Sequence, residues 1–348
     1  YESWEECSQQ VTGYPNAEFR KFAVRREAEQ YLGQAAGAPE RPPVSCRFLQ
    51  EVFLPAPAIT FNRPGDLPPL VSQTVADRYG AASIEALTRA QLQHVRPIFF
   101  NYQQTIDHTD YHDSVDAYLM VYLPVHFYKS WLPLRLCLEK NRLPDTVSIL
   151  ELGPGPGTTT LAVLILYQRI ARENPQRQFC LRYRVIEREA AFIAMFRQLT
   201  DHVRQKIQMV TPNLTVGLEI VQQDILSGMA ACPAAGYDLV LESNVFNSNE
   251  GMETGCCAAF ARETVRCLKP EGLAVLVEPD IRDLPVWASL RQTGQLQALA
   301  EPGRSAVDLS GIRLVAVSRR LGLRRSDIRV HRFLSAVYAK TSGQSGGR

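Results

Sequence analysis

The stretch Ser148-Ile149-Leu150-Glu151-Leu152-Gly153-Pro154-Gly155-Pro156-Gly157-Thr158 decides the fold. A short apolar strand closes on an acid, three glycines follow at alternate positions, and Thr158, Thr159 and Thr160 open a helix. Glycine tolerates a positive φ and lets a ligand reach the backbone, and the free N–H groups of a helix start favour electron-rich groups. The spacing is neither the G-x-G-x-x-G of dinucleotide folds nor a P-loop ending in G-K-[ST]. A strand, a glycine turn and a helix in this order still make a nucleotide-binding device.

The flanking sequence repeats the unit. A helix over 158–173 stops at Asn174-Pro175, and Phe179–Glu187 alternates as a strand that ends on a carboxylate. Further strands follow at 218–223, closed by Asp224 with Ile225 beside it; at 237–242, closed by Glu242 and followed by Ser243-Asn244-Val245-Phe246-Asn247; and at 272–278, closed by Glu278 after Leu268-Lys269-Pro270-Glu271-Gly272. Acids at the carboxyl edge of a doubly wound sheet also have a plain reading, since the chain leaves the core there. The helix 158–173 is apolar on nearly every side, which places it between the sheet and another layer.

This ordered set of motifs resembles the class I S-adenosylmethionine-dependent methyltransferase superfamily over about 145–340. The resemblance implies an α/β, doubly wound, seven-stranded Rossmann-like sheet of order 3-2-1-4-5-7-6, its last strands within 327–340, preceded by an N-terminal α-helical lid domain. It implies S-adenosylmethionine as cofactor, with Glu151, Gly153, Gly155 and Gly157 along its methionine part and Glu187 on the ribose. Asp224 and Ile225 fall at the adenine, and Glu242 beside the cofactor. The Ala117–Pro124 segment, the Ser243–Asn247 turn and Val277-Glu278-Pro279 are similar to the ribosomal small-subunit-associated methyltransferase-like family, whose cysteine cluster this chain lacks. An N-P-P-Y-type motif after the fourth strand is absent, which argues against DNA adenine methylation.

Residues 1–140 carry no strand–glycine–helix unit and read as the lid and acceptor-binding region, ahead of a cofactor domain over 141–340 and a disordered tail over 341–348. Within it, 36–70 holds eight prolines and reads as an extended segment; helices are expected near 71–79, 83–104, 110–122 and 124–140. The 31 residues Asn101–Trp131 are dense in aromatics and histidines. Tyr111, Tyr118 and Tyr122 share a helical face and, with Asn244 and Glu278, are candidates for the acceptor pocket; a helix–sheet interface is the structural alternative. His126, Glu242 and Asn247 are the catalytic candidates, His126 as a base near the transferred methyl or else a core histidine. His108 and His112 are i, i+4 neighbours without a third ligand, so no metal is expected.

Composition fits an intracellular enzyme. Apolar content is 45%, charged content 21% and net charge +2, too small for general nucleic-acid attraction. The eight cysteines show no C-x-x-C spacing and read as free thiols in a reducing, cytoplasmic setting. No apolar run reaches a membrane span, and no basic-then-apolar leader follows Tyr1. The arginines 313, 319, 320, 324, 325, 329 and 332 oppose one acid, Asp327, and suit RNA phosphates, an acidic carrier protein, the carboxylate of a small acceptor or a solvated helix face. The leading expectation is methyl transfer to a small-molecule or carrier-bound acceptor in a biosynthetic pathway. An RNA- or ribosome-associated methyltransferase, or a cofactor-binding assembly factor without turnover, are the alternatives.

Overall fold

The computed structural model describes residues 53–54, 60–64, 69–78, 80–82, 115–246, 254–281, 283–308 and 330–341, all within the unit Val44–Arg348. The strands are β1 (Phe53–Leu54), β2 (Thr60–Pro64), β3 (Thr146–Leu152), β4 (Phe179–Glu187), β5 (Leu214–Gln222), β6 (Tyr237–Ser243), β7 (Leu268–Pro279), β8 (Leu296–Asp308) and β9 (Val330–Lys340). The helices are α1 (Pro69–Arg78), α2 (Val115–Glu139), α3 (Thr158–Glu173), α4 (Ala190–Val210), α5 (Ile225–Ala230), α6 (Thr254–Cys267) and α7 (Pro285–Gln292). One sheet runs in the order β1-β2-β8-β9-β7-β6-β3-β4-β5. β3 to β7 pair in parallel, and β9 lies antiparallel between β7 and β8.

Alternation along the strands divides the interior in two. Val147 and Ile149 of β3 face a core built with α1 to α4, while Leu150 and Leu152 face a core built with α5 to α7. Strands covered on both faces carry near-continuous apolar runs, as in Ala274–Val277 of β7, all buried. Parallel connections bring the carboxyl ends of β3, β4, β6 and β7 to one edge, and the candidate site residues Glu187, Glu242 and Glu278 gather there.

Three features depart from expectation. Among the described residues the expected seven strands are extended by two, because β2 pairs in parallel with β8 (Thr60↔Ser305 to Asn62↔Val307) and β1 closes a short antiparallel ribbon outside it. This gives part of the proline-rich segment a defined place and pairs the edge of β8. The sixth strand of the expected set is not within 327–340 but at β8, across Pro302-Gly303. Register shifts between Ala298 and Gly303 absorb those two turn-like residues without ending the strand. Third, α2 is one helix through Pro124 and Pro133 where a break was expected at Pro124. Phe127, Tyr128, Trp131, Leu134 and Cys137 are all buried beneath it. Each such aromatic is worth about 3–5 kcal/mol on truncation, which outweighs the roughly 3 kcal/mol a helical proline costs.

Candidate functional site

The glycine loop connects β3 to α3, and its three glycines have different physical tasks. All are left-handed, with φ of +56° at Gly153, +55° at Gly155 and +89° at Gly157. A Cβ on Gly153 would stand 2.8 Å from Val245 Cγ2 and 3.5 Å from Ile225 Cδ1, so the turn after β6 and the start of α5 both close on this residue. A Cβ on Gly157 would stand 2.7 Å from the Phe196 ring, which makes Gly157 a helix-packing glycine between α3 and α4. A Cβ on Gly155 would meet no atom within 4 Å. Gly155 is therefore where the backbone lies open to a ligand.

Glu187 ends β4 beside this loop. Its Oε2 accepts the Gly155 N–H at 3.0 Å and its Oε1 accepts the Glu189 N–H at 2.9 Å. Burial raises its pKa, partly offset by these backbone donors. A carboxylate offers about four lone-pair sites, more than these backbone donors fill, which leaves capacity for a ligand hydroxyl. Asp224 is the N-cap of α5: its Oδ1 accepts from Leu226 N at 2.9 Å and Ser227 N at 3.3 Å. The carboxyl is exposed, with Ile225 half-buried beside it. A left-handed cradle with an acid at its side fits a nucleoside cofactor.

Glu151 sits differently from the others in its motif. It is buried behind the loop, where Thr160 Oγ1 donates to its Oε2 at 2.8 Å and the Tyr183 hydroxyl donates to the same oxygen. It braces the loop from the core side of the sheet. Burial pushes its pKa up to about 7, against the pull of the two hydroxyls. A folded pKa above the unfolded one contributes stability that is complete below the ordinary carboxyl range and is lost as pH rises toward 7. Glu151→Gln keeps an acceptor oxygen and cannot ionise. At pH 8 it should be more stable than the wild type by about 2–3 kcal/mol, and at pH 4 nearly equal to it. Urea denaturation at the two pH values measures this; an equal difference at both would remove the linkage.

The acceptor-side candidates converge on the turn after β6. Val245 N donates to Glu242 Oε1 at 2.7 Å and to Glu278 Oε1 at 3.0 Å, and Phe246 N donates to Glu278 Oε1 at 2.8 Å. The two carboxyls are buried against one another. Burial raises both, and each acts on the other; Glu242 is held well above the carboxylate range. Asn244 has φ +60°, and its Nδ2 donates to Ser243 Oγ at 2.8 Å and lies 3.5 Å from His126 Nδ1. The turn and α2 thus bring His126, Asn244, Glu242 and Glu278 together. Asp280 is drawn aside: Arg304 Nε holds it at 2.8 Å, on the rim of a cavity of about 330 Å³ lined also by Trp287, Arg291, Glu301, Pro302 and Leu334.

Tyr111 and Asn247 lie outside the described residues, as do His108 and His112. Tyr118 and Tyr122 fall on α2, where only the backbone is described. Of the arginine cluster only Arg332 is described, on β9 and exposed. Sequence reasoning did not foresee the burial of Lys129. It is only 5% exposed, one turn after His126, in a helix whose neighbours are apolar. A lysine inside such a run, His126-Phe127-Tyr128-Lys129-Ser130-Trp131, was the available signal. Four of the six described cysteines are buried. No described helix is long and apolar enough to cross a membrane.

A family model described as the ribonuclease H1 N-terminal domain matches residues 1–32, outside the described residues. No curated protein matches the chain. Solved structures similar to it include a class I S-adenosylmethionine-dependent methyltransferase of Listeria monocytogenes, at 12% identity and TM-score 0.41, covering 76% of this chain and 72% of that one. An arsenic(III) S-adenosylmethionine methyltransferase of Chlamydomonas reinhardtii is similar at 14% identity and TM-score 0.35, over 57% and 64%. The [4+2]-cyclase SpnF is similar at 17% identity and TM-score 0.38, over 62% and 81%. With β5-β4-β3-β6-β7-β9-β8 in sequence, β9 reversed and the glycine loop between β3 and α3, residues 146–340 form a doubly wound, Rossmann-like α/β sheet in the expected order 3-2-1-4-5-7-6.

Proposed function

We propose that the chain transfers a methyl group from S-adenosylmethionine to a small-molecule or carrier-bound acceptor at the carboxyl edge of the sheet, beside α2. The observation that carries this reading is the Gly155 cradle, open and left-handed, with its N–H on Glu187. When bound, S-adenosylmethionine supplies an electrophilic methyl on its sulfonium. Glu187 would take the ribose hydroxyls on its remaining lone pairs, the loop backbone the methionine part, and Ile225 with Asp224 the adenine. His126, beside Asn244, is our candidate for the group that takes the acceptor's proton. The chain's remaining task is to hold the acceptor in line at about 3–3.5 Å from the methyl carbon and keep water away. A buried polar cluster next to an apolar helix supports a small acceptor.

Calorimetry with S-adenosylhomocysteine tests the reading. The wild type should bind, and Glu187→Ala should bind roughly tenfold more weakly or worse, since charge-assisted bonds to two hydroxyls contribute about 1.5–3 kcal/mol. Unchanged affinity in a folded variant removes Glu187 from the site, and no binding to the wild type overturns the cofactor. Tight RNA binding with a steep salt slope would move the acceptor from a small molecule to RNA.

A further inference from the structure

The cavity of about 330 Å³ beside α7 takes no part in the reading above. It opens at the irregular stretch of β8. Ala300 pairs with Val337 and Gly303 with Ser335, so Glu301 and Pro302 stand opposite the single residue Ala336 of β9. Such a bulge bends its strand and re-aims the side chains around it, and Pro302 suits the place because it has no N–H to leave unpaired. Just past the bulge Arg304 pairs with Leu334, and directly paired residues share a face of the sheet. Leu334 belongs to the core built with α5 to α7, so Arg304 stands on that face as well. From α7, Trp287 and Arg291 are four residues apart, on one side of the helix, and line the cavity from above the sheet. β8 lies four strands from β3 in the sheet, roughly 19 Å at about 4.8 Å per strand, so this is not the space beside Gly155.

The protein leaves much of the polar capacity of this cavity unused. Among the described residues Arg304 is hydrogen-bonded only through Nε, which lies 2.8 Å from each oxygen of Asp280, and neither of its Nη groups has a protein partner. Arg291 Nη1 stands 3.6 Å from Glu301 Oε2, too far for a hydrogen bond, and both side chains are at least half exposed. Trp287 is buried, yet its Nε1 has no hydrogen-bond partner, although a buried indole N–H normally finds one. We propose that the cavity is a binding site for a small organic acid, separate from the glycine loop. The apolar or planar body of the ligand lies against Trp287, Pro302 and Leu334, and its carboxylate on Arg304 and Arg291. A guanidinium fork matches a carboxylate with two parallel hydrogen bonds, and the volume is at the lower end of the roughly 300–1,000 Å³ of small-molecule sites. Arg304 offers its free Nη edge without releasing Asp280. At Arg291 the ligand displaces Glu301, which is held only loosely. With two acids already beside these arginines, a monoanion is favoured over a phosphate dianion.

This site stands independently of the proposed function. The chain has three tryptophans, so ¹⁵N-tryptophan labelling of the full-length protein gives three indole N–H resonances, that of Trp287 assigned by its loss in Trp287→Phe. Titration with benzoate should move the Trp287 resonance along a saturable curve, with a Kd on the order of 1 mM for so small a ligand, while the other two stay in place. Arg304→Gln should weaken binding roughly tenfold or more. Arg304→Lys keeps a cation beside Asp280 but loses the fork, and should weaken it about threefold. Glu301→Gln removes the competitor at Arg291 and should tighten binding about threefold, a gain that a purely structural ion pair does not provide. Inorganic phosphate should bind at least about tenfold more weakly than benzoate, because it leaves the apolar wall uncovered. A drift without saturation, equal shifts of all three indoles, or wild-type affinity in both Arg304→Gln and Glu301→Gln overturns the proposal. Phosphate binding as tight as that of benzoate overturns the organic ligand. Gly155→Val should bind benzoate as the wild type does, and loss of benzoate there overturns the separateness of the two sites. A wild type that binds benzoate but not S-adenosylhomocysteine supports this site and removes the cofactor reading alone.

Discussion

Gly157→Val should cost the protein about 2–5 kcal/mol of stability, enough to unfold a marginal domain at moderate urea. Two penalties add. A β-branched residue held at φ +89° is strained by about 1–2 kcal/mol or more. Its Cβ would also lie 2.7 Å from Cδ2 of Phe196 and 3.2 Å from Cγ2 of Thr200, both buried, and overpacking of this kind costs about 1–3 kcal/mol. The strain is transmitted directly to the start of α3, whose N-cap is Gly157 and whose first three threonines are buried. Urea denaturation measures the loss. Phe196→Leu, introduced second, should recover part of it, and a cycle with no coupling would mean that the clash is relieved elsewhere. Gly157→Val within 1 kcal/mol of the wild type would remove the close approach of α3 and α4 as the reason for this glycine.

Gly155→Val should do the opposite: leave the protein folded and abolish cofactor binding. Its Cβ meets no protein atom within 4 Å, so only the strain of φ +55° remains, about 1–2 kcal/mol. The added side chain stands in the space proposed for the methionine part. It also disturbs the N–H that Glu187 Oε2 accepts at 3.0 Å. Affinity for S-adenosylhomocysteine should fall by on the order of a hundredfold or more, equivalent to about 3 kcal/mol. Normal binding in a folded Gly155→Val protein would show that the loop is a turn and that the ligand lies elsewhere. Two glycines two residues apart should thus separate folding from binding, a difference that no spacing rule contains.

The sequence by itself determined the elements whose reasons are local. The helix Thr158–Glu173 and the strand Phe179–Glu187 have the bounds read from periodicity, because Gly157 and Asn174-Pro175 punctuate one and strict alternation marks the other. The acids at the strand ends followed from the same local signals, since each strand leaves the core at the same edge, whereas the order of strands across the sheet came from the family resemblance. β8 was illegible because Pro302-Gly303 imitates a turn, and only its pairing with β9 shows that a register shift accommodates it. α2 was legible as helix but not as one helix, because burial of Phe127, Tyr128 and Trp131 outweighs Pro124, and burial is decided by what packs on it. The separate tasks of Gly153, Gly155 and Gly157 follow from Val245, Ile225 and Phe196, which lie far away in sequence. Glu151 was read as one of a row of cofactor acids, and the structure turns it inward to Thr160 and Tyr183, because alternation about β3 sends it to the core face. Glu242 and Glu278 were each visible as strand-end acids, yet only parallel pairing of β6 with β7 buries both against one turn, where each raises the other's pKa. A charge state belongs to a pair and its surroundings, and for that reason the tertiary structure alone decided it.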